Sequence, residues 1–145
     1  FNHKRIIFTA KLDRPSYMAR YRVVDLFLDT SPCNAGTTAS DALKMGVPLI
    51  TLKGKSFNSR EAASILNSIN LPELITSTPE EYESLAIELA TNPEKLHAIK
   101  AKLNDNLSTA PLYDTKLFTK NLESAYTQMY DRHHQGEEPE HIYVE

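Results

Sequence analysis

Apolar and polar positions along this chain follow two rhythms. The first half carries short apolar runs: Ile6-Ile7-Phe8-Thr9, Val23-Val24-Asp25-Leu26-Phe27-Leu28 and Leu49-Ile50-Thr51-Leu52. Runs of this kind, rich in β-branched and aromatic residues, predict buried strands. Between them, the polar stretch Lys11 to Ser16 with Pro15 reads as a loop and Ser16 to Arg22 as a short helix. Thr37 to Lys44 reads as a helix stopped by Gly46 and Pro48. In the second half the period lengthens. Ala62, Ile65, Leu66 and Ile69 recur at helical spacing and predict an amphipathic helix over Ser56 to Asn70. Leu74-Ile75-Thr76 is a candidate fourth strand. Ser77 or Thr78 then stands where it caps a helix aligning Tyr82, Leu85, Ala86 and Leu89. Pro93 opens a further helix with Leu96, Ile99 and Leu103 inward. Asp114 or Thr115 starts a last one bearing Phe118, Leu122, Ala125, Tyr126 and Met129. From His133 the sequence is charged and predicts a loosely held end. The chain thus divides into an α/β unit with terminal bracing helices over 1–132 and a charged tail over 133–145.

Alternating strands and helices predict right-handed βαβ units, hence a Rossmann-like parallel sheet flanked by helices, with extra helices at the C-terminal end. Ligands of such sheets collect at the carboxyl ends of the strands. The stretch "PCNAGTTASDALKMGVPLIT" falls there. Gly36 lets the backbone approach a ligand closely, and a helix starting near Thr37 aims free N–H groups and its positive dipole end into the crevice. The Thr37 and Thr38 hydroxyls add donors for a diphosphate. Asp41, one turn on, is better suited to neutral hydroxyls such as those of a ribose. The same residues match a capping box, Thr38-Ala39-Ser40-Asp41, in which Asp41 merely satisfies an orphan N–H. Both readings stand on the sequence. The stretch is neither a dinucleotide glycine fingerprint nor a Walker loop.

Composition narrows the classes. At 145 residues, with 41% hydrophobic and 24% charged, the chain suits one domain with a real core. A net charge of −3 argues against a nucleic-acid footprint. The single Cys33 excludes an internal disulfide and reads as a small buried thiol, no partner His being indicated. No apolar stretch reaches the roughly 20 residues of a bilayer span, and no signal-peptide pattern is present. The chain begins at Phe1 and enters an apolar run almost at once, so it is expected to be part of something longer. His133-His134 read as solvated surface rather than metal ligands, and Glu80, Glu81 and Glu83 as the acidic first turn of a helix. Arg60 and Glu61 follow a Gly54–Ser59 loop toward the crevice, where they serve either a ligand or their own helix.

The run "LDTSPCNAGTTASDALKMGVPLITLKGKSFNSREAAS" resembles the donor-nucleotide half of O-linked N-acetylglucosamine (O-GlcNAc) transferases. The likeness continues through "LPELITSTPEEYESLAIELATNPEKL" and "PLYDTKLFTKNLESAYTQMYDR", and it is closer to bacterial than to animal members. The resemblance implies the C-terminal half of a GT-B fold in a cytoplasmic glycosyltransferase. The other Rossmann half, with a phosphate-steadying lysine and the acceptor groove, would precede Phe1, as would tetratricopeptide repeats. The implied reaction is a metal-independent, inverting transfer from UDP-N-acetylglucosamine to Ser or Thr hydroxyls of an acceptor protein. The UDP-sugar is the donor substrate; no cofactor, nucleic acid or membrane is implied. Within this chain the resemblance assigns donor-nucleotide binding to Thr37 and Thr38 on the diphosphate, Asp41 on the ribose, Asn34 and Gly36 in the turn, and Arg14 and Tyr17 beside the base. Arg14 and Tyr17 stand where animal enzymes carry Lys and His; a guanidinium and a phenol ring still stack on a base. The His that precedes the paired threonines in the animal enzymes is Gly36 here. No catalytic residue is assigned, and the isolated chain is expected to transfer no sugar. The stripe from Phe118 to Met129 suits a helix that braces the two halves. A transferase using UDP-glucose or a GDP sugar, and a non-catalytic α/β interaction module, are the alternatives.

Overall fold

The structure, a computed structural model, describes residues 3–144. Three short parallel strands form the sheet in chain order: β1 (Phe27–Leu28), β2 (Leu49–Leu52) and β3 (Ile75–Thr76). Phe27 lies opposite Leu49, and Thr51 opposite Ile75. Helices α1 (Arg14–Arg20), α2 (Thr37–Lys44), α3 (Glu61–Ser68), α4 (Pro79–Thr91), α5 (Pro93–Asn106) and α6 (Thr115–His134) surround it. This is the predicted parallel α/β architecture. Its core gathers on β2, where Leu49 and Ile50 meet Ala39 and Leu43 of α2, Ala62 and Leu66 of α3, Leu89 of α4, and Ile99 and Leu103 of α5.

Local chemistry explains the clearest boundaries. Gly46 adopts φ +77°, and the Gly46 and Val47 amides return to the carbonyls of Leu43 and Ala42, closing α2 with a glycine-based cap. Thr78 opens α4: its hydroxyl accepts from the Glu81 N–H while the Glu81 carboxylate accepts from the Thr78 N–H.

Several expectations need correction. Ile6–Thr9 is not a strand; Ile7 and Phe8 are 82% and 92% exposed. A strand exists through its pairing, and no strand among the described residues offers that run a ladder. The run predicted over Val23–Leu28 contracts to Phe27–Leu28, because Tyr21–Val23 makes a tight turn in which the Val24 amide bonds the Tyr21 carbonyl. Leu74 likewise sits in a single turn ahead of β3. α1 starts earlier than expected, with Pro15 inside its first turn. α3 starts later, at Glu61. Ser59 donates to the Ser56 carbonyl and the Gly54 amide to the Ser59 carbonyl, so a polar turn wins over helix there. The last helix continues through His134. Arg132 pairs with Glu137 and Glu140 beyond it and donates to the Glu138 carbonyl, while residues 135–141 stay exposed. Phe118, Tyr126 and Met129 on α6 stay more than half exposed. No helix among the described residues is long and apolar enough to cross a membrane.

Candidate functional site

The loop leaving β1 is organised by a residue that the sequence did not single out. Asp29 is buried, and its Oδ1 accepts the N–H groups of Thr30 and Ala35 at 2.8 Å each. Its Oδ2 accepts the Thr51 hydroxyl of β2 at 2.6 Å. The Asp29 carbonyl in turn accepts the Tyr82 hydroxyl of α4 at 2.8 Å. Burial, and then the nearby Asp29 carboxylate, push the Tyr82 pKa above the usual tyrosine range. The available signal was an Asp at the end of an apolar run, followed directly by Thr, Ser and Pro.

Asn34 forms part of the same floor. It is buried, its N–H donates to the Asn58 carbonyl at 2.9 Å, and its Nδ2 donates to the Thr30 carbonyl at 3.0 Å. Its Oδ1 is buried with no partner among the described residues. Because Asn34 turns inward, its neighbour Cys33 faces out. The thiol expected to be buried is exposed.

The floor delivers the chain to α2. Gly36 occupies the N-cap position with no side-chain cap, and the first helical bond runs from the Ser40 amide to the Gly36 carbonyl at 3.0 Å. The first-turn amides of Thr37, Thr38 and Ala39 have no hydrogen bond among the described residues. Thr37 and Thr38 are exposed. The capping box is not formed. Asp41 instead receives the Arg14 guanidinium on both oxygens, at 2.7 and 2.9 Å. Asp41 is buried, whereas the Arg14 side chain is 63% exposed. A two-point charged contact outcompetes a single bond to a backbone N–H.

Tyrosines align α1 with α2. Arg14 lies 5.7 Å from the centre of the Tyr17 ring. The Tyr17 and Tyr21 hydroxyls are 2.7 Å apart, and Tyr21 also donates to the Thr38 carbonyl at 3.3 Å. Burial, aided by the Tyr17 hydrogen bond and the Asp41 charge, raises the Tyr21 pKa. Tyr113 donates to the Ser40 carbonyl at 2.7 Å, and its pKa is raised by burial and by Asp41.

Arg14, Tyr17, Thr37, Thr38 and Asp41 therefore border one open depression of about 370 Å³. Gly36, the N-cap residue before Thr37, and Asn34, in the loop ahead of it, do not line the depression. Of the two residues left open after the Gly54–Ser59 loop, Arg60 is exposed and donates to the Ser56 carbonyl at 3.3 Å, while Glu61 packs against Gly36. The arrangement can present amides, hydroxyls, a guanidinium and an aromatic ring to an anionic, ring-bearing ligand. No cluster of three His, Cys, Asp or Glu side chains suited to a metal occurs among the described residues.

A parallel α/β sheet with a donor-rich helix start at its ligand-binding end is the frame of many transferases. Here the class is shown by likeness: residues 1–122 match the pattern of glycosyl transferase family 41, and the chain belongs to that family. It is 38% identical over 141 residues to the Arabidopsis thaliana protein named "Probable UDP-N-acetylglucosamine--peptide N-acetylglucosaminyltransferase SEC". That match takes in 97% of this chain and 14% of the plant protein. A Caenorhabditis elegans UDP-N-acetylglucosamine–peptide N-acetylglucosaminyltransferase is 33% identical over 138 residues, covering 95% of this chain and 12% of that protein. Among solved structures, an O-GlcNAc transferase mutant from Thermobaculum terrenum superposes with a TM-score of 0.78 at 35% identity, over 82% of this chain and 23% of its own.

Proposed function

We propose that this chain supplies the donor-nucleotide site of a cytoplasmic glycosyltransferase that moves N-acetylglucosamine from its UDP ester to Ser or Thr hydroxyls of proteins. The observation that carries the reading is the joint position of the unpaired α2 amides, the two threonine hydroxyls and the Arg14–Asp41 pair around one depression. In this reading the amides of Thr37 and Thr38 and their hydroxyls hold the diphosphate. Asp41 accepts from the ribose hydroxyls, and Arg14 and Tyr17 lie along the base.

The same groups serve the chemistry. As the sugar leaves, negative charge builds on the departing diphosphate, and donors already fixed around it stabilise that charge without a metal. The acceptor hydroxyl attacks the anomeric carbon from the face opposite UDP, which inverts its configuration. The base that takes its proton, and the acceptor groove, belong to parts of the protein outside this chain. The far greater length of the relatives supports that division.

Titrating the chain with UDP and with GDP, followed by amide NMR, tests the reading. The Gly36–Asp41 signals should shift progressively with UDP and less with GDP. Equal or larger shifts with GDP would move the assignment to a GDP-sugar enzyme. Signals unchanged at millimolar UDP would remove it.

A further inference from the structure

The helix start that receives the diphosphate in this reading already faces an anion. Glu61, the first residue of α3, turns back so that its carboxylate lies against Gly36, in the space a side chain at that position would fill. A Cβ built on Gly36 would overlap Glu61 Oε1. Glu61 is partly buried, and its carboxylate makes no hydrogen bond or ion pair among the described residues. Of the nearby cations, Arg60 turns to the Ser56 carbonyl, and Lys53, which lines a hollow with Glu61, makes no ion pair with it among the described residues. What the carboxylate does face is the uncapped end of α2, whose dipole favours negative charge.

Its position is set by the fold. Ala62 and Leu66 are buried in the core and anchor the first turns of α3, while the Ser56–Ser59 turn fixes where that helix begins. Gly36 leaves the opening into which the carboxylate fits. The tip of the side chain is free to rotate away, since no hydrogen bond restrains it.

We propose that Glu61 sets the affinity of this site for the nucleoside diphosphate, as a resident anion that yields the α2 N-terminus when the diphosphate arrives and retakes it when the diphosphate product leaves. The inference rests on the donor-site reading. Two anions beside one helix start repel each other, so the ligand must push the carboxylate aside or tolerate it nearby; both lower affinity. A cradle made only of donors would retain UDP after transfer, and slow product release limits many enzymes. An internal competitor shortens that stay. It acts through charge, so it penalises the diphosphate and leaves the nucleoside untouched.

Calorimetric titration of the wild-type chain, Glu61→Gln and Glu61→Ala with UDP and with uridine tests this. Both variants should bind UDP roughly fivefold or more tightly at low salt, with a gap that narrows as salt rises. Uridine binding should not change. The alanine variant guards against a new donor from the glutamine amide, and the amide spectrum of each variant checks the fold. Wild-type protein that binds UDP, with variants equal or weaker, overturns this inference and leaves the donor site standing. A gain of the same size for uridine also overturns it. Failure of all three proteins to bind UDP removes the donor site itself, and this role with it.

Discussion

Two regions flank the start of α2, the loop before it and the rim of the depression, and each is built on an aspartate that is 7% exposed. In the floor, Asp29 spends its acceptors on groups of the fold: two loop amides and the Thr51 hydroxyl of the central strand. At the rim, Asp41 is bonded to a guanidinium whose side chain stands mostly in solvent. Burial is equal, so burial does not tell a structural carboxylate from one available to a ligand. The exchangeability of the partner does. Nothing can replace the Thr30 and Ala35 amides without unfolding the loop, whereas Arg14 can turn aside and leave Asp41 free to accept from a ligand.

The largest effect should come from the floor. Asp29→Ala leaves two amides and a buried hydroxyl without an acceptor, and charged hydrogen bonds of this kind are worth about 1.5–3 kcal/mol each. Urea unfolding should show a loss of about 3 kcal/mol or more. Asp29→Asn keeps one oxygen for the amides and should lose less. If Asp29→Ala cost under about 1 kcal/mol, the floor would not be the scaffold argued for here.

Next comes an alkaline weakening shared by both regions. Tyr82 belongs to the floor, Tyr21 and Tyr113 to the rim, and burial raises the pKa of all three. In the unfolded chain each titrates near the ordinary value of 10.0. A raised folded value means that the folded state keeps its proton longer. Stability is therefore unaffected below that pH and falls as pH rises past it, toward the folded values. The slope is at most about 1.4 kcal/mol per pH unit for each tyrosine. Unfolding curves at pH 9, 10 and 11 would show it. Tyr82→Phe should flatten the slope without touching the rim, and Tyr113→Phe without touching the floor.

Legibility followed the range of the interactions. α2 and α4 were readable because their stops and starts are local: Gly46 at one, Thr78 with Glu81 at the other. The sheet beyond β2 was overestimated, since Ile6–Thr9 has the composition of a strand but no neighbour to pair with. Thr37, Thr38 and Asp41 were named from the turn and helix start and Arg14 and Tyr17 from the family likeness, yet their connection was not. Arg14 and Asp41 lie 27 residues apart, and a local capping pattern offered Asp41 a plausible partner that it does not use. The exchange of Cys33 for Asn34 in the interior follows from Asp29 gripping the loop at both ends, at Thr30 and Ala35. The approach of Glu61 to Gly36 depends on where α3 begins, and periodicity placed that start five residues too early.

The smallest effect on stability, and the one most telling for function, belongs to Asp41. Its ion pair with a mostly exposed guanidinium is worth under about 1 kcal/mol, so Asp41→Ala should barely move the urea midpoint. Its affinity for UDP should nevertheless fall, by about tenfold for the loss of a charged hydrogen bond to ribose. Asp41→Asn, which retains one acceptor, should fall between. Arg14→Lys separates the two roles of the pair: it surrenders the two-point contact while keeping the charge, and it should weaken UDP less than Asp41→Ala does. A helix-capping role for Asp41 would invert the pattern, costing about 1 kcal/mol of stability with UDP affinity unchanged. The two measurements on one variant therefore decide whether the rim is a ligand site or a second piece of scaffold like the floor.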